Sequence, residues 1–342
     1  MHQPLRMICN KDALATNWKW LAARAGVRCA AAVKADGYGL GAREVVSVLV
    51  AAGCRDFFVS TWWEAEQLGL LPVEASLAVL HGIGPDDLRS GDVPGCRPVL
   101  NTPDQVARWK QIAPERPCDV MIDTGMNRLG LRPEEGGVLA GLRIHTLHSH
   151  LACADEDHLL NGKQLRQFRA AAAAIPAERY SLANSAGILL GPDYAFDLVR
   201  PGLSLYGGIP RLEARGHIEA VVQLEAQVVQ RRTIPAGESC GYGATFVAAQ
   251  ETQVAIANIG YADGYWRGFS SVGSARFDDA ALPVLGRVSM DLVALDCGAR
   301  PGLKEGDWIS LDFELERAAE QSGKSQYELL TGLGHRFERH WH

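Results

Sequence analysis

The 342-residue sequence lacks three features that would each indicate a particular class of protein. Its apolar runs, such as residues 170–174, are far shorter than the roughly 20 residues that a membrane-spanning helix needs. It has no basic excess: 34 Lys and Arg stand against 40 Asp and Glu, a net charge of −6, which disfavours nucleic acid or anionic lipid as a partner. Its first residues also lack the apolar segment of a secretory signal.

The eight cysteines are scattered through the chain and form no Cys-x-x-Cys pair. Secreted scaffolds space their cysteines for disulfides, and structural zinc sites pair them closely. The cysteines therefore indicate reduced thiols, and together with the missing signal they predict a cytoplasmic protein. The composition, 47% hydrophobic and 22% charged, is typical of a soluble globular chain.

Short apolar runs recur through the first two-thirds of the chain, and most are followed by a segment that is compatible with a helix. Continuous apolar residues are typical of strands buried in a parallel sheet. Eight strand–helix units in about 210 residues fit a (β/α)8 TIM-type barrel. A doubly wound open sheet is the alternative, but the first run lacks the glycine-rich fingerprint normal for that fold. The runs are residues 29–33, 56–60, 76–82, 97–101, 118–123, 143–150, 180–184 and 197–202.

The sequence pattern changes near residue 218, where β-branched and partly alternating segments are separated by Gly, Pro and Asp turns. This pattern predicts a β-rich domain, with a helical pattern over residues 314–330. We therefore expect an α/β barrel over residues 8–215 and a C-terminal β-rich domain over residues 216–342. Residues 1–7 are expected to form a strand that packs with the second domain.

Lys34 follows the first apolar run and precedes a glycine-rich segment. Barrels place their catalytic side chains at the carboxyl ends of strands. Burial there would lower the pKa of a lysine and favour the neutral amine that forms Schiff bases. The alternative is a lysine whose stem lies on apolar surface while its ammonium stays in water.

Polar residues also end four of the other expected strands. Backbone N–H groups and a serine hydroxyl after the seventh and eighth strands are typical of a barrel's phosphate site. Basic and hydroxyl groups at one mouth therefore predict an anion site. The residues are Asp123 and Arg128 after the fifth strand, His148 and His150 on the sixth, Asn184 and Ser185 on the seventh, and Arg200 and Gly202 on the eighth.

His148 and His150 are two residues apart, so on a strand they would face the same way. No carboxylate or cysteine at ligand spacing joins them, and we expect no metal site. A hydrogen-bonded core histidine is the alternative, especially for His148. In the second domain two glycines bracket Tyr242, which predicts an exposed tyrosine of special conformation or an ordinary turn tyrosine.

Taken together, the motifs resemble the alanine racemase family, whose members are fold type III pyridoxal-phosphate enzymes with an N-terminal barrel and a C-terminal β domain. The match covers almost the whole chain, in the family's order. VKADGYG and GYGATF are its specific parts. The motifs are VKADGYGLG, DTGMNRLG, HSHLACAD, ANSAG, RPGLSLYG, CGYGATF, GYADGYWRG and GRVSMD.

The resemblance implies that the barrel binds pyridoxal 5'-phosphate and that the protein interconverts L- and D-alanine, which supplies D-alanine for peptidoglycan. It implies two proton-transferring groups, Lys34 and Tyr242, on opposite faces of the substrate, with Lys34 also holding the cofactor. It further implies a homodimer in which Tyr242 and Met290 come from the other subunit. It implies that Tyr38, Ser185 and the backbone of Gly202 and Leu203 bind the phosphate. It implies that Arg200 contacts the pyridine nitrogen and that His150 lies beside the ring. It also implies that Arg128 and the main chain of Met290 bind the substrate carboxylate.

The chain departs from many family members at two positions. Met121 stands where many have a carbamylated lysine, and Asn127 is the candidate for holding Arg128 instead. Gly334 stands near the place of a C-terminal tyrosine, for which Tyr327 or Phe337 could compensate. Alternatives to strict alanine racemisation are a serine or broad-specificity racemase and a non-catalytic pyridoxal-phosphate-binding protein, the last disfavoured by GYGATF.

Overall fold

The computed structural model describes residues 2–87 and 95–342 and divides into two compact units. One unit comprises Leu14–Glu219, and the other comprises Met1–Ala13 together with Ala220–His342. The chain begins with strand β1 (Leu5–Cys9) and helix α1 (Lys11–Ala25).

The first unit is a (β/α)8 barrel. Its first barrel strand is formed by the short strands β2 and β3, and β3 to β9 lie parallel in chain order. Strand β10 pairs with β2, and hydrogen bonds from Ala30 to Val199 and from Ala32 to Pro201, each 2.9 Å, continue that pairing. Arg200 N–H donates to the carbonyl of Ala183 at 2.9 Å, which joins the last two strands and closes the barrel. The strands are β2 (Arg28–Cys29), β3 (Ala31–Ala32), β4 (Asp56–Val59), β5 (Ser76–Val79), β6 (Cys96–Leu100), β7 (Cys118–Met121), β8 (Ile144–His148), β9 (Arg179–Ser181) and β10 (Leu198–Val199).

Helices follow most of these strands and cover the outside of the barrel. Thr61 and Glu64 form a capping box at the start of α4, and Thr102 caps α5, whose first residue is Pro103. A layer of small and medium side chains, one from each of six strands, fills the barrel interior: Ala30, Phe58, Ala78, Val99, Met121 and Leu198. The helices are α2 (Lys34–Tyr38), α3 (Ala42–Ala52), α4 (Trp62–Leu68), α5 (Pro103–Ile112), α6 (Leu159–Ala174) and α7 (Ser185–Leu189).

The second unit is β-rich, as the sequence predicts. Its main sheet has the strand order β14-β17-β16-β15-β18-β11-β1-β19, and β11 pairs with β14 as well. Strand β1 is antiparallel to β11, with Leu5 opposite Ala226, and parallel to β19. The elements are β11 (Val222–Ile234), β12 (Ser239–Cys240), β13 (Phe246–Val247), β14 (Thr252–Ala257), β15 (Ser274–Phe277), β16 (Ala280–Leu285), β17 (Val293–Asp296), β18 (Trp308–Leu311), α8 (Leu315–Ser322), α9 (Gln326–Thr331) and β19 (Glu338–Trp341).

Two general properties follow from the described elements. None of the described helices combines the length and the apolar character needed to cross a membrane. Within residues 2–87 and 95–342, no group of three His, Cys, Asp or Glu side chains is placed to hold a metal ion.

Candidate active site at the barrel mouth

Lys34 is the first residue of a left-handed turn that follows the first barrel strand. The next four residues have φ between 52° and 62°, and three of them, Ala35, Asp36 and Tyr38, are not glycine. Each such residue costs about 1–2 kcal/mol in this conformation, so the turn needs outside support. Glu64 supplies part of it by accepting a 2.7 Å hydrogen bond from Ala35 N–H, and Asp36 accepts one of 2.8 Å from Ala42 N–H.

The environment of Lys34 favours a neutral amine. Burial lowers the pKa of the Lys34 amine, the positive charge of Arg128 lowers it further, and Glu64 acts in the opposite direction. A neutral lysine amine is the form that attacks a carbonyl or accepts a proton. Lys34 therefore lies at the end of the first strand, where the sequence places it, and its role as the reactive amine stays a prediction.

A cup of hydroxyl and backbone N–H groups lies after the seventh and eighth strands. Ser185 Oγ accepts hydrogen bonds from Gly202 N–H at 2.9 Å and from Ser204 N–H at 3.3 Å. A Cβ on Gly202 would lie 2.2 Å from the Tyr38 hydroxyl oxygen, so a larger residue there would displace the Tyr38 ring. The buried hydroxyl of Ser204 has no hydrogen-bond partner within the described residues. This donor-rich cup suits a phosphate.

Arg200 is buried below the mouth and is held by two hydrogen bonds. Its guanidinium donates to Ser181 Oγ and, at 2.6 Å, to the carbonyl of Ser149. Burial lowers the pKa of Arg200 to about 10, and the carboxylate of Asp119 opposes that change. Arg200 therefore stays protonated at neutral pH and remains a donor.

The sixth strand ends at His148, and His150 lies just beyond it, so the two histidines have different surroundings. His148 is fully buried, its Nε2 lies 3.2 Å from Asp119 Oδ2, and burial lowers its pKa to about 4. His148 is therefore a neutral core histidine. His150 is half-buried, and its pKa is lowered first by burial and then by the charges of Arg200, Arg128 and Lys34. His150 thus lies among the cations of the mouth.

Arg128 is exposed and makes no hydrogen bond within the described part of the chain. The Asp123 carboxylate holds the preceding loop by accepting hydrogen bonds of 2.9–3.1 Å from three consecutive N–H groups, including that of Asn127. The described residues show no hydrogen bond between the Asn127 side chain and Arg128, so a role of Asn127 in holding Arg128 stays a prediction. Met121 is buried in the apolar interior of the barrel, which explains why it performs no polar function.

Tyr242 and Met290 are exposed residues of the β-rich unit. Tyr242 is 67% exposed, and the glycines on either side of it have φ of 80° and 73°. Met290 is 53% exposed. Its carbonyl accepts a 3.0 Å hydrogen bond from Ala262 N–H, while its own N–H has no partner among the described residues. Tyr242 thus presents a phenol at the surface of the single chain, and Met290 carries a backbone N–H without a partner among the described residues.

The three C-terminal residues considered for the place of the family's tyrosine differ in burial. A Cβ on Gly334 would lie 3.0 Å from the carbonyl oxygen of Ala262, so the backbone packs closely there. Phe337 is only 3% exposed and belongs to the core, so it cannot compensate for a missing tyrosine. Tyr327 is 42% exposed and stays the candidate.

Several groups that shape the mouth were missed in the sequence. Glu64 and Asp119 each lie inside a segment that was interpreted only as a helix or a strand, and Ser204 lies in the motif RPGLSLYG but was given no role. The capping-box spacing of Thr61 and Glu64 could have indicated the helix start. Nothing in the sequence indicates that Glu64 also supports the Lys34 turn.

These features define a class: a (β/α)8-barrel protein with a partly buried lysine of lowered pKa and a cup of hydroxyl and N–H groups, together with a β-rich unit. Residues 9–210 match the alanine racemase N-terminal domain, and residues 221–341 match the alanine racemase C-terminal domain. The chain belongs to the alanine racemase family. The resemblance predicted from the motifs is confirmed.

Individual relatives agree with this assignment over nearly the full chain. A catabolic alanine racemase of Agrobacterium fabrum is 43% identical over 96% of this chain and 89% of its own length. A biosynthetic alanine racemase of the same species is 38% identical over 99% of this chain and 94% of its own length. The crystal structure of alanine racemase from Bartonella henselae with covalently bound pyridoxal phosphate superposes with a TM-score of 0.91, at 35% identity, and covers 100% of both chains.

Proposed function

We propose that this protein is a pyridoxal-phosphate-dependent alanine racemase, an isomerase that interconverts L- and D-alanine. The observation that carries the proposal is the pairing of a partly buried Lys34, whose pKa is lowered, with the cup formed by Ser185 and Gly202 in one barrel. A covalently held phosphorylated aldehyde needs both a neutral amine and an anion cup.

The residues of the barrel mouth fit the cofactor. The unpartnered Ser204 hydroxyl supports an anion site, and the close approach of Tyr38 to Gly202 brings a second hydroxyl to the same place. Tyr38, Ser185 and the backbone of Gly202 and Leu203 would hold the phosphate. Arg200 would face the ring nitrogen as a donor, with His150 beside the ring and Lys34 as the attachment point. When bound, the cofactor supplies an electron sink that acidifies the α-proton of the substrate.

Racemisation needs one proton-transferring group on each face of the reacting carbon. In this proposal Lys34 removes or returns the proton on one face and Tyr242 does so on the other. A free phenol has a pKa near 10, so Tyr242 needs cationic neighbours to act as a base at neutral pH. The cations of the mouth, Arg128 and Arg200, are suited to supply that environment. Arg128 and the N–H of Met290 would bind the substrate carboxylate.

The proposal includes a homodimer whose active site is shared. The exposure of Tyr242 and of Met290, 67% and 53%, supports it, because both groups are accessible to a second copy. The barrel, expected over residues 8–215, would bind the cofactor. Residues 216–342 would supply Tyr242 and Met290 to the partner. A cytoplasmic enzyme that provides D-alanine for peptidoglycan is the proposed context, and catabolism of alanine is the other role that the named relatives represent.

Turnover of the purified holoenzyme tests the activity directly. L-alanine and L-serine, supplied separately, are followed for the appearance of the D-enantiomer by chiral chromatography. We expect racemisation of alanine at a clearly higher kcat/KM than serine. Equal efficiency with serine would indicate the broad-specificity alternative, and cofactor binding without turnover would indicate a non-catalytic carrier.

Complementation between inactive variants tests the shared site. Lys34→Ala and Tyr242→Phe are co-expressed with different tags, and the mixed dimer is compared with each variant alone. If each site combines Lys34 of one chain with Tyr242 of the other, a mixed dimer keeps one intact site of its two. A random mixture then recovers about a quarter of the wild-type activity. A mixture that is no more active than its components would exclude the shared site.

A further inference from the structure

Three segments of the β-rich unit meet at the side chain of Arg336. Its Nε and Nη2 donate to the two carboxylate oxygens of Asp263 at 2.6 and 2.8 Å, and its Nη1 donates to Asp291 Oδ1 at 2.7 Å. Asp291 follows Met290 directly in the chain. One guanidinium thus connects the C-terminal segment, the turn that contains Asp263 and the loop that contains Met290.

The Asp263 turn is itself bonded to the Met290 loop. Ala262 N–H donates to the Met290 carbonyl at 3.0 Å, and Tyr261 N–H donates to the Ser289 carbonyl at the same distance. A Cβ on Gly260 would lie 2.3 Å from the Met290 carbonyl oxygen, so the two backbones touch. The orientation of the Met290 peptide, and with it the direction of its N–H, therefore depends on the position of this turn.

The Asp263–Arg336 pair is the strong part of this connection. The Asp263 side chain is fully buried, and it also accepts a 3.0 Å hydrogen bond from Gly260 N–H. A bidentate arginine–carboxylate pair fixes geometry as well as charge, and removal of one partner leaves the other charge buried without compensation. Gly334, two residues before Arg336, lets the C-terminal segment approach closely: its N–H donates to the Asp263 carbonyl at 3.2 Å.

We propose that Arg336 is a positioning residue that holds the Met290 N–H in place for the substrate carboxylate. This inference rests on the proposed function, since it takes Met290 as part of the substrate site. Arg336 acts through Asp263 and Asp291 and needs no contact with the substrate. Because L- and D-alanine share the same carboxylate, the effect of Arg336 extends equally to both directions of the reaction.

The test compares Arg336→Gln with Arg276→Gln in the holoenzyme. Arg276 is a matched control because it belongs to the same unit, is similarly exposed (52% against 46%) and pairs with a carboxylate, Asp312, at 2.8 Å. Amide hydrogen exchange over residues 286–292 and steady-state kinetics with both alanine enantiomers are measured on each. We expect Arg336→Gln to speed exchange in that segment about tenfold and to raise both KM values about tenfold, with kcat within about twofold.

A milder variant keeps the test informative if Arg336→Gln folds poorly. Asp291→Asn breaks only the outer hydrogen bond and leaves the buried pair intact, so it should give smaller changes in the same direction. Cofactor affinity should not change in any of these variants. Exchange over residues 286–292 that matches the Arg276→Gln control would overturn the inference even if the protein proved to have another activity. Faster exchange with unchanged KM values would overturn the link to the substrate.

Discussion

The barrel mouth and the exposed loops of the β-rich unit contribute to the proposed chemistry in opposite ways. At the mouth, Ser185 and Arg200 are only 1% and 7% exposed, and each is held by hydrogen bonds within the chain. Tyr242 is 67% exposed and has no hydrogen-bond partner in the described part of the chain. In the proposed enzyme a single chain would therefore complete the cofactor side of the site by itself, whereas Tyr242, the proposed second base, would need an environment from the partner subunit.

This difference has an electrostatic reason. Burial and clustered cations lower the pKa of Lys34 and of His150, so the barrel sets the protonation of its own groups. Four measurements test the barrel and the exposed loops separately, in order from the largest expected effect to the smallest.

The first prediction concerns the barrel mouth, where one substitution should remove two functions. Lys34→Ala should remove both the attachment of the cofactor and one proton-transferring group, so racemisation should fall by at least about 10⁴-fold. Absorbance of the bound cofactor and intact mass after borohydride reduction check the attachment. A reduced adduct still found in the variant would show that another residue holds the cofactor.

The second prediction concerns the exposed Tyr242, whose substitution should remove only one function. Tyr242→Phe should lower kcat by about 10²–10⁴-fold, because a general acid–base group is removed. Cofactor absorbance and the melting temperature should stay at wild-type values, since the hydroxyl has no partner within the described residues. Wild-type turnover in this variant would contradict the role of Tyr242.

The third prediction tests the cup. Gly202→Ala places a methyl group 2.2 Å from the Tyr38 hydroxyl, which must then move. Overpacking of this kind costs about 1–3 kcal/mol, so we expect the Kd for pyridoxal phosphate to rise about tenfold or more. Titration of the apoprotein by fluorescence measures it. Gly137→Ala is the control, because a Cβ there has nothing within 4 Å and the φ of Gly137 is not positive. An unchanged Kd for pyridoxal phosphate in Gly202→Ala would show that the cup is not part of the cofactor site.

The fourth prediction concerns pH. The folded state holds the pKa of His148 at about 4, against an ordinary value of 6.5, because the ring is buried. The His148 ring therefore binds a proton more readily in the unfolded chain than in the folded one. The free energy of unfolding that neutral His148 contributes is fully present above pH 6.5 and is lost as the pH falls towards 4. The contribution of His148 is about 3 kcal/mol. Urea unfolding of wild type and His148→Gln at pH 7 and pH 5 measures it. An equally steep pH dependence in the variant would contradict this assignment.

A large part of the fold could be predicted from the sequence, for a clear physical reason. Parallel strands buried on both faces must be apolar throughout, so runs such as residues 56–60 and 118–123 are visible without a structure. The lysine, histidines, serine and arginine of the site could be located because each directly follows or ends such a run. The carboxylate of Asp119 was missed because it lies inside one.

What the sequence determined by itself was the succession of local elements and the chemical types available at their ends, since both depend on neighbours along the chain. Tertiary structure alone decided the left-handed turn of Ala35 and Asp36, which no local preference favours and which Glu64 supports. It also decided that the pKa values of Lys34 and His148 are lowered, because a pKa depends on burial and on charges that only the closed barrel brings together.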